Sequence, residues 1–388
     1  MSDPYSDIRP YCDDEIQAVL QRLLVAHELL DVIARWRFGA LARFIPWLTR
    51  PLVRWFLARE LRNVTDVRSM QMVIKLYMDR MIANSSDGFS VSGLDFLAEH
   101  EPYLYMSNHR DIAMDPAFTN YALHRAGRET ARIAIGDNLL SKPWVSDLMR
   151  LNKSFVVKRS LNGPREFLAA TKVLSAYIKH SMTEEGVSVW LAQREGRAKD
   201  GMDKTEPAIL KMLAMSRNKK EMDFREHIKS LKIVPVAISY ELDPCDALKA
   251  AELYQLDTLG SYEKGEQEDV ASIGQGIAGS KGHVHVSFGV PLDADAAADL
   301  DSPESVAAEV DRQVLQLYCL HPTNLYAYRM LHGEDAVVPD GLYFEEGVCS
   351  GSDFEDRINA MPEAHRPYAL GIYANAVSSK LNLAANSC

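Results

Sequence analysis

The sequence predicts an α/β protein with a largely parallel sheet flanked by helices, an N-terminal helical region and C-terminal helices. Before residue 88 the apolar residues repeat at helical spacing, and between residues 88 and 300 short apolar runs alternate with helical stretches. Beyond residue 300 the helical pattern returns. Alternating strands and helices indicate parallel strands joined by helical crossovers. We therefore expect a helical region at 1–87, an α/β domain at 88–300 and a helical extension at 301–388.

The composition excludes several classes of protein. A chain of 388 residues with 47% hydrophobic and 25% charged residues is typical of a folded protein. Its net charge of -11 argues against nucleic acid as a partner. Its five cysteines lack CxxC spacing, which indicates a reducing compartment and neither a disulfide framework nor a zinc site. The acidic N-terminus does not resemble a signal peptide, and no apolar run is long enough to span a bilayer, so we expect a cytoplasmic protein.

The region from Asp13 to Ile82 has the spacing of three or four helices, and residues 35–62 differ from the rest of it. This segment has one acid, Glu60, and three of the five tryptophans. Such a basic, aromatic segment is typical of a helix in the headgroup region of a membrane. The alternative is a helical cap with its aromatic side chains in the core and its arginines in solvent. Seven arginines lie here: 35, 37, 43, 50, 54, 59 and 62. We expect peripheral association with the cytoplasmic membrane face.

Six apolar runs are predicted to be strands, and the stretches between and after them are predicted to be helices. The Gly- and Glu-rich stretch Gly260–Gly282 is predicted to be a surface loop or lid. The predicted strands are Tyr103–Met106, Ala131–Ile135, Ser154–Val157, Val187–Leu191, Ile233–Ile238 and His283–Phe288. The predicted helices include Arg165–His180, Glu206–Met215, Pro303–Tyr318 and Pro362–Leu383.

A histidine with two nearby carboxylates follows the first of these strands. His109 comes directly after an apolar run, at the strand end where open α/β sheets hold their chemistry. A histidine oriented by a carboxylate can take a proton from a hydroxyl near neutral pH. Asp115 precedes Pro116, the favoured order for a helix N-cap followed by proline at the first helical position. Asp111 is closer in sequence, so both carboxylates are candidates for orienting His109.

Another predicted strand is followed by two cationic residues. The strand Ser154–Val157 is followed by Lys158 and Arg159, which would emerge at the same sheet edge as His109. Arginine is preferred where a carboxylate or phosphate is held by two parallel hydrogen bonds. The alternative is ordinary surface charge at a strand end.

The strand Val187–Leu191 leads into a loop rich in cations and glycine. Arg194, Arg197 and Lys199 could surround an anion, and Gly196 would let the backbone approach a ligand closely. Glu195 could hold an arginine or bind a substrate hydroxyl.

The last two predicted strands have unusual residues. Pro235 suggests a kink in Ile233–Ile238, because proline is confined to edges, starts or bulges of sheets. His283 and His285 share one face and could bind a metal, but no third ligand of suitable type is near them in sequence, so a strand pair without a ligand is the favoured interpretation.

The residues together suggest a base, cations for a phosphate or oxyanion, and a nucleophile supplied by the substrate. No serine or cysteine has the glycine elbow of a covalent acyl-enzyme, so direct transfer is the simpler mechanism. In this order the segments resemble the glycerophospholipid acyltransferases, meaning glycerol-3-phosphate and 1-acylglycerol-3-phosphate acyltransferases, over about residues 100 to 290. Asn108-His109 with Asp115 resembles the first motif of that family. Phe155–Arg159, Glu195–Arg197 and Val234–Val236 resemble the next three.

The resemblance implies acyl transfer from an acyl-CoA or acyl-carrier-protein thioester to a hydroxyl of glycerol-3-phosphate or a lysophospholipid, with no cofactor and no metal. It implies that His109 is the base and Asp115 its orienting partner. The substrate-binding residues would be Arg110, Lys158, Arg159, Arg194, Glu195, Gly196 and Arg197, with Arg159 and Arg197 on the phosphate.

Two spacings depart from the family. Five residues separate His109 from Asp115 where the family has four, and Arg197 comes one place early. The step Met114-Asp115 matches glycerol-3-phosphate acyltransferases and favours Asp115 over Asp111. Two alternatives stay open: acylation of a lipid acceptor without phosphate, and a membrane-binding protein with this fold but no catalysis.

Overall fold

The computed structural model describes residues 3–39, 44–140, 142–265, 268–292, 300–336, 338 and 347–386. The chain forms two compact units, one from residues 1–79 and 132–177, the other from residues 80–131 and 178–388. Within the described residues, no helix has the length and apolar character needed to cross a bilayer.

The described residues form seven strands and fifteen α-helices. The strands are β1 (Gly88–Ser92), β2 (Leu104–Ser107), β3 (Arg132–Gly136), β4 (Ser154–Val157), β5 (Val189–Ala192), β6 (Ile233–Tyr240) and β7 (His283–Phe288). The helices are α1 (Asp13–Val25), α2 (His27–Phe38), α3 (Pro46–Glu60), α4 (Val67–Ser85), α5 (Met114–Arg125), α6 (Pro143–Leu151), α7 (Pro164–Thr183), α8 (Pro207–Leu213), α9 (Phe224–Ser230), α10 (Asp246–Leu259), α11 (Glu268–Ala278), α12 (Pro303–Leu317), α13 (Pro322–His332), α14 (Gly351–Asn359) and α15 (Arg366–Asn386).

The smaller unit contains α1 to α3, α6 and the parallel pair β3 and β4. Helix α1 buries Ile16, Val19, Leu20 and Leu23, which recur every three or four residues and therefore share one face. Their core is completed by residues of later elements, including Leu151 of α6. The predicted N-terminal helices are thus present in the described residues.

The larger unit contains β1, β7, β6, β2 and β5, hydrogen bonded in that order. β2 pairs in parallel with β5 and with β6, and Ser107 at its end lies opposite Ala192 and Val236. Every residue of β2 and β6 is buried. This is why both strands are nearly continuous apolar runs, as expected for a sheet covered on both faces. The chain leaves β2 between two neighbours whose ends lie at the same edge.

The predicted fold class, a largely parallel sheet with flanking helices, is confirmed. All six predicted strands are present, with ends within two residues of the predicted ones. Strand β1 was not predicted, because Gly88–Ser92 is short and half polar. One pairing is antiparallel, β6 with β7. The third residue of β6, Pro235, precedes the first pair of this antiparallel ladder, so its missing N–H costs no ladder hydrogen bond there.

The predicted loop or lid at Gly260–Gly282 is wrong in part, because this stretch contains helix α11. Its glycines favour a loop in isolation, but the helix buries Ser272 and Gly276 and is stabilised by that packing. After β7 the chain forms α12 to α15, which belong to the same compact unit. Phe354 of α14 and Tyr373 of α15 pack in one apolar cluster with Leu242 and Ala250.

Candidate active site

The loop after β2 is attached to the neighbouring strand by Asn108. Its carboxamide oxygen accepts from the N–H of Ile238 at 2.8 Å, and its nitrogen donates to the carbonyl of the same residue at 3.1 Å. Asn108 is fully buried, so both bonds are protected from water. The next residue, His109, is therefore held at a fixed place beyond the strand end.

Asp115 orients the imidazole of His109. Its Oδ2 lies 3.0 Å from His109 Nδ1 and accepts from the N–H of Arg110 at 2.7 Å and of Asp111 at 2.9 Å. The carboxylate is wholly buried. As a carboxylate only accepts hydrogen bonds, the proton lies on Nδ1 and leaves Nε2 as the acceptor. The side chain of His109 is 15% exposed, so a substrate can reach it.

Tyr240, which no sequence pattern indicated, supplies the fourth hydrogen bond to Asp115. Its hydroxyl donates to Asp115 Oδ1 at 2.8 Å. Burial raises the pKa of Tyr240 well above its ordinary value, with the neighbouring charge of Asp115 adding to it. The phenol therefore stays protonated and remains a donor. The two residues are 125 positions apart, so only the fold brings them together.

The predicted N-cap role of Asp115 is wrong. Helix α5 begins at Met114, which places Asp115 inside the first turn, while Asp111 accepts from the N–H groups of Ala113 and Met114 at 2.9 and 2.8 Å. Asp111 thus starts the helix, and Asp115 is free to face the histidine. Burial raises the pKa of Asp111, and the charge of Asp115 raises it further.

Arg110, which was predicted to bind substrate, is bound within the protein. Its guanidinium is 4% exposed and donates to both carboxylate oxygens of Asp203, at 3.0 and 2.7 Å, and to the carbonyl of Gly201 at 2.9 Å. It also lies over the ring of Tyr318, 5.2 Å from its centroid. Two parallel hydrogen bonds to a buried carboxylate make Arg110 a support of the loop.

Arg197, unlike Arg110, is buried without an ion-pair partner among the described residues. It is 8% exposed, yet its one described hydrogen bond is a long one to Ser272 Oγ at 3.4 Å, and its Nη1 is buried with no hydrogen-bond partner. The N–H of the next residue, Ala198, donates to the carbonyl of His109 at 2.7 Å. Arg197 is therefore connected directly to the histidine loop. A buried guanidinium with an unused donor suggests a place for an anion.

The other predicted binding residues of this loop differ in exposure and in hydrogen bonding. Gly196 has φ +74°, the left-handed region that favours glycine, and Glu195 is exposed. Arg194 is half-buried, and its Nε has no hydrogen-bond partner. Lys199 is paired with Glu252, so the prediction that it surrounds an anion is not supported.

Helix α11 covers part of this region. Ser272 reaches Arg197, and a Cβ at Gly276 would lie 2.3 Å from Asp111 Oδ2. No other residue fits at Gly276 without movement, because the backbone of the helix packs against the carboxylate. The insertion between β6 and β7 thereby contributes to the site.

Lys158 and Arg159 belong to the smaller unit, where they follow β4. Lys158 lies 3.6 Å from Asp7, and a Cβ on Gly136 would lie 3.2 Å from the guanidinium carbon of Arg159. Their role in binding phosphate stays a prediction.

His283 and His285 have serine partners. His285 lies within hydrogen-bond distance of Ser90 and Ser92, at 2.6 and 2.9 Å, and His283 lies 3.0 Å from Ser90. Among the described residues, one group has three potential metal ligands close together, Cys12, Asp14 and Glu15, and it contains neither histidine. Both histidines thus have hydroxyl partners on β1.

This arrangement belongs to a known class. Residues 88–239 match the sequence model of the Acyltransferase family, and this stretch includes β1, the His109 loop, Arg197 and most of β6. This match confirms the predicted resemblance to the glycerophospholipid acyltransferases.

Two individual proteins are similar to the chain. It is 24% identical to dihydroxyacetone phosphate acyltransferase of Bos taurus over 197 residues, which is 50% of this chain. The chain spans 27% of the length of that relative. A crystal structure of the 1-acyl-sn-glycerophosphate (LPA) acyltransferase of Thermotoga maritima aligns with 78% of this chain and 97% of its own, at 13% identity and a TM-score of 0.34.

Proposed function

We propose that the protein transfers a fatty acyl group from an acyl thioester to a hydroxyl of glycerol-3-phosphate or a lysophospholipid, in glycerolipid synthesis. One observation supports this most strongly. A histidine oriented by a fully hydrogen-bonded carboxylate is joined through one backbone hydrogen bond to a loop that contains a buried arginine with an unused donor. The first group activates a hydroxyl, and the second holds an anion on the same molecule.

His109 would act as general base. Its Nε2 takes the proton of the acceptor hydroxyl as the oxygen attacks the thioester carbonyl. The new C–O bond forms, the tetrahedral intermediate expels the thiolate, and the imidazolium returns the proton to sulfur. Asp115 keeps the tautomer fixed and stabilises the imidazolium. Tyr240 and the two backbone N–H groups keep Asp115 itself in place.

Arg197 would bind the phosphate of the acceptor. A guanidinium presents two parallel donors to a phosphate, and here one of its nitrogens has no protein partner. Its burial strengthens the attraction because less water screens the charge. Arg194, Glu195 and Gly196 lie beside it in the loop and would complete the acceptor site.

Residues 35–62 would bind the membrane surface from which a lipid acceptor is taken or into which the product is released. Trp36, Trp47 and Trp55 are 78%, 73% and 54% exposed, so these side chains do not form a core. Arg43 lies outside the described residues. An exposed set of tryptophans among arginines matches the interface of an anionic bilayer better than water.

The test of catalysis is acyl transfer by purified protein. Labelled acyl-CoA and acyl-carrier protein are each incubated with glycerol-3-phosphate, a lysophospholipid and a monoacylglycerol, and the products are separated by chromatography. His109→Ala should lower turnover by about 10² to 10⁴, the usual contribution of a general base. His332→Ala, a change at an exposed histidine, is the matched control. Absence of transfer by the wild type, or full activity of His109→Ala, would contradict the proposal.

The test of phosphate binding compares acceptors. Arg197→Gln should raise KM for glycerol-3-phosphate by about ten- to a hundredfold, because a hydrogen bond to a charged group contributes about 1.5 to 3 kcal/mol. Turnover of the monoacylglycerol, which has no phosphate, should change little. Arg225→Gln, in α9, is the control for loss of an arginine. An equal loss with both acceptors would mean that Arg197 does not bind phosphate.

A further inference from the structure

Lys249 is a buried lysine that none of the matched motifs contains. It lies in α10, beyond residues 88–239, and is 1% exposed. Its Nζ donates to the backbone carbonyl of Arg110 at 2.7 Å and is paired with Asp243. A buried ammonium is costly unless it is paired and hydrogen bonded, so both contacts are needed to keep it there.

The carbonyl that Lys249 holds belongs to a peptide group with a second charged partner. The N–H of the same peptide, on Asp111, donates to Asp115 Oδ2 at 2.9 Å. The peptide dipole therefore has a cation at its oxygen and a carboxylate at its hydrogen, the orientation in which both interactions are favourable. That carboxylate is the one that orients His109.

The C-terminal helices hold the partner of Lys249. Tyr373 of α15 accepts from the N–H of Asp243 at 3.0 Å and donates to Asp246 Oδ2 at 2.7 Å. Arg357 of α14 donates to both oxygens of Asp246, at 2.7 and 3.0 Å, and to the carbonyl of Asp243 at 2.9 Å. The loop around Lys249 is thus bound by two helices near the end of the chain.

We propose that Lys249 is a positioning residue for the His109 loop, and that α14 and α15 keep it in place. The catalytic meaning of this inference rests on the proposed function. Lys249 fixes the peptide between Arg110 and Asp111, that peptide fixes Asp115, and Asp115 fixes the imidazole. The segment after residue 239 is then part of the active site although it contributes no group to the chemistry.

The experiment measures the order of the imidazole directly. A Nδ1–H proton that is hydrogen bonded to a buried carboxylate gives a low-field ¹H NMR signal. Labelling with ¹⁵N-histidine shows that the signal comes from a histidine, and loss of the signal in His109→Gln assigns it to His109. Lys249→Met should abolish or shift this signal. Lys232→Met is the matched control, because Lys232 lies in the same unit and is also paired with a carboxylate, that of Glu101. It should leave the signal unchanged.

Activity provides a second readout. Lys249→Met should lower kcat by about ten- to a hundredfold with little change in KM, because a small misplacement of the base affects the transition state more than acceptor binding. An unaltered Nδ1–H signal in Lys249→Met would overturn the inference. A wild type without acyl transfer would contradict the proposed function instead, and the NMR comparison would still decide whether Lys249 positions the loop.

Two further variants separate positioning from stability. Lys249→Met leaves Asp243 without its lysine, so the double variant Lys249→Met/Asp243→Asn removes both charges and should recover Tm. Its signal and kcat should stay altered, and recovery of both with Tm would mean a purely structural role.

Tyr373→Phe keeps every charge and should fold. We expect a several-fold lower kcat, and a wild-type kcat and signal would exclude α15 from the positioning.

Discussion

The His109 loop and the segment at residues 35–62 differ in which side chains they bury: the loop buries polar groups, and the segment exposes aromatic ones. In the His109 loop Asp115 accepts four hydrogen bonds and Arg110 is paired with the buried carboxylate of Asp203. In α2 and α3 three tryptophans are exposed, while Arg50 is bound to Asp31 at 2.7 Å. Buried polar groups are costly unless satisfied, and exposed aromatic groups gain free energy only from a partner. The carboxylate that orients His109 is therefore satisfied by the protein itself, whereas the exposed tryptophans would gain free energy from an apolar or interfacial partner.

The largest expected effect on activity comes from replacing the carboxylate of Asp115. Asp115→Asn should lower kcat by about 10² to 10⁴, because an amide can donate to Nδ1 and so favours the wrong tautomer. Steady-state kinetics with glycerol-3-phosphate measures it. Asp111→Asn, a change of the same chemistry at the residue that starts α5, should cost much less activity. If the two variants lost equal activity, Asp115 would have no special relation to His109.

The interior of the larger unit should also be sensitive to pH through His321. Burial, with His283 and His285 nearby, lowers the pKa of His321 to about 3. The unfolded chain binds a proton near pH 6.5 and the folded chain does not, so the free energy of unfolding should fall as pH falls from 6.5 towards 3. His321 should account for about 3 kcal/mol of this loss at pH 4.

Urea unfolding of wild type and His321→Gln at pH 7 and pH 4 measures this contribution. The difference between the two pH values should be smaller in the variant, which has no proton to gain. His332→Gln, at an exposed site, should behave as the wild type. An unchanged pH dependence in His321→Gln would rule out His321 as the cause.

The exposed segment should be separable from the chemistry. Trp36→Ser/Trp47→Ser should weaken binding to vesicles of anionic phospholipid by about tenfold or more, because each indole would bury a large apolar area. Flotation measures binding, and turnover of soluble glycerol-3-phosphate should stay as in the wild type. Phe96→Ser/Phe167→Ser, which removes exposed aromatic side chains outside the segment, is the control. Equal loss of binding in both variants would mean that the segment is not the membrane surface.

The smallest effect concerns the fourth hydrogen bond to Asp115. Tyr240→Phe removes one hydroxyl and keeps the ring packed against Phe118. A hydrogen bond to a charged group contributes about 1.5 to 3 kcal/mol, and three donors to Asp115 remain, so we expect kcat to fall by about five- to tenfold. A kcat equal to that of the wild type would show that the backbone N–H groups suffice.

The features predicted correctly from the sequence are those that depend on residues close together in the chain. The strands were found because a buried parallel strand is a short apolar run, as in β4 and β5. His109 and Asp115 were found because only five residues separate them in the sequence. Tyr240, Asp203 and Lys249 were not found, since each is about 90 to 140 residues from its partner in the loop. Arg110 looked like a ligand because nothing in its neighbourhood shows that Asp203 returns to pair with it.

The antiparallel pairing of β6 and β7 has a consequence for how such a protein can change. Two antiparallel neighbours can be joined by a two-residue turn, so the sheet itself does not require the residues between Tyr240 and His283. Yet this connection supplies Lys249 and Ser272, and its Gly276 lies against the histidine loop. The connection can therefore differ in length or sequence without any change in strand pairing, but a change that removes Lys249 would also affect the peptide of the histidine loop that Lys249 holds. Any exchange of this connection between relatives must therefore keep Lys249 and Gly276 if the histidine loop is to stay in place.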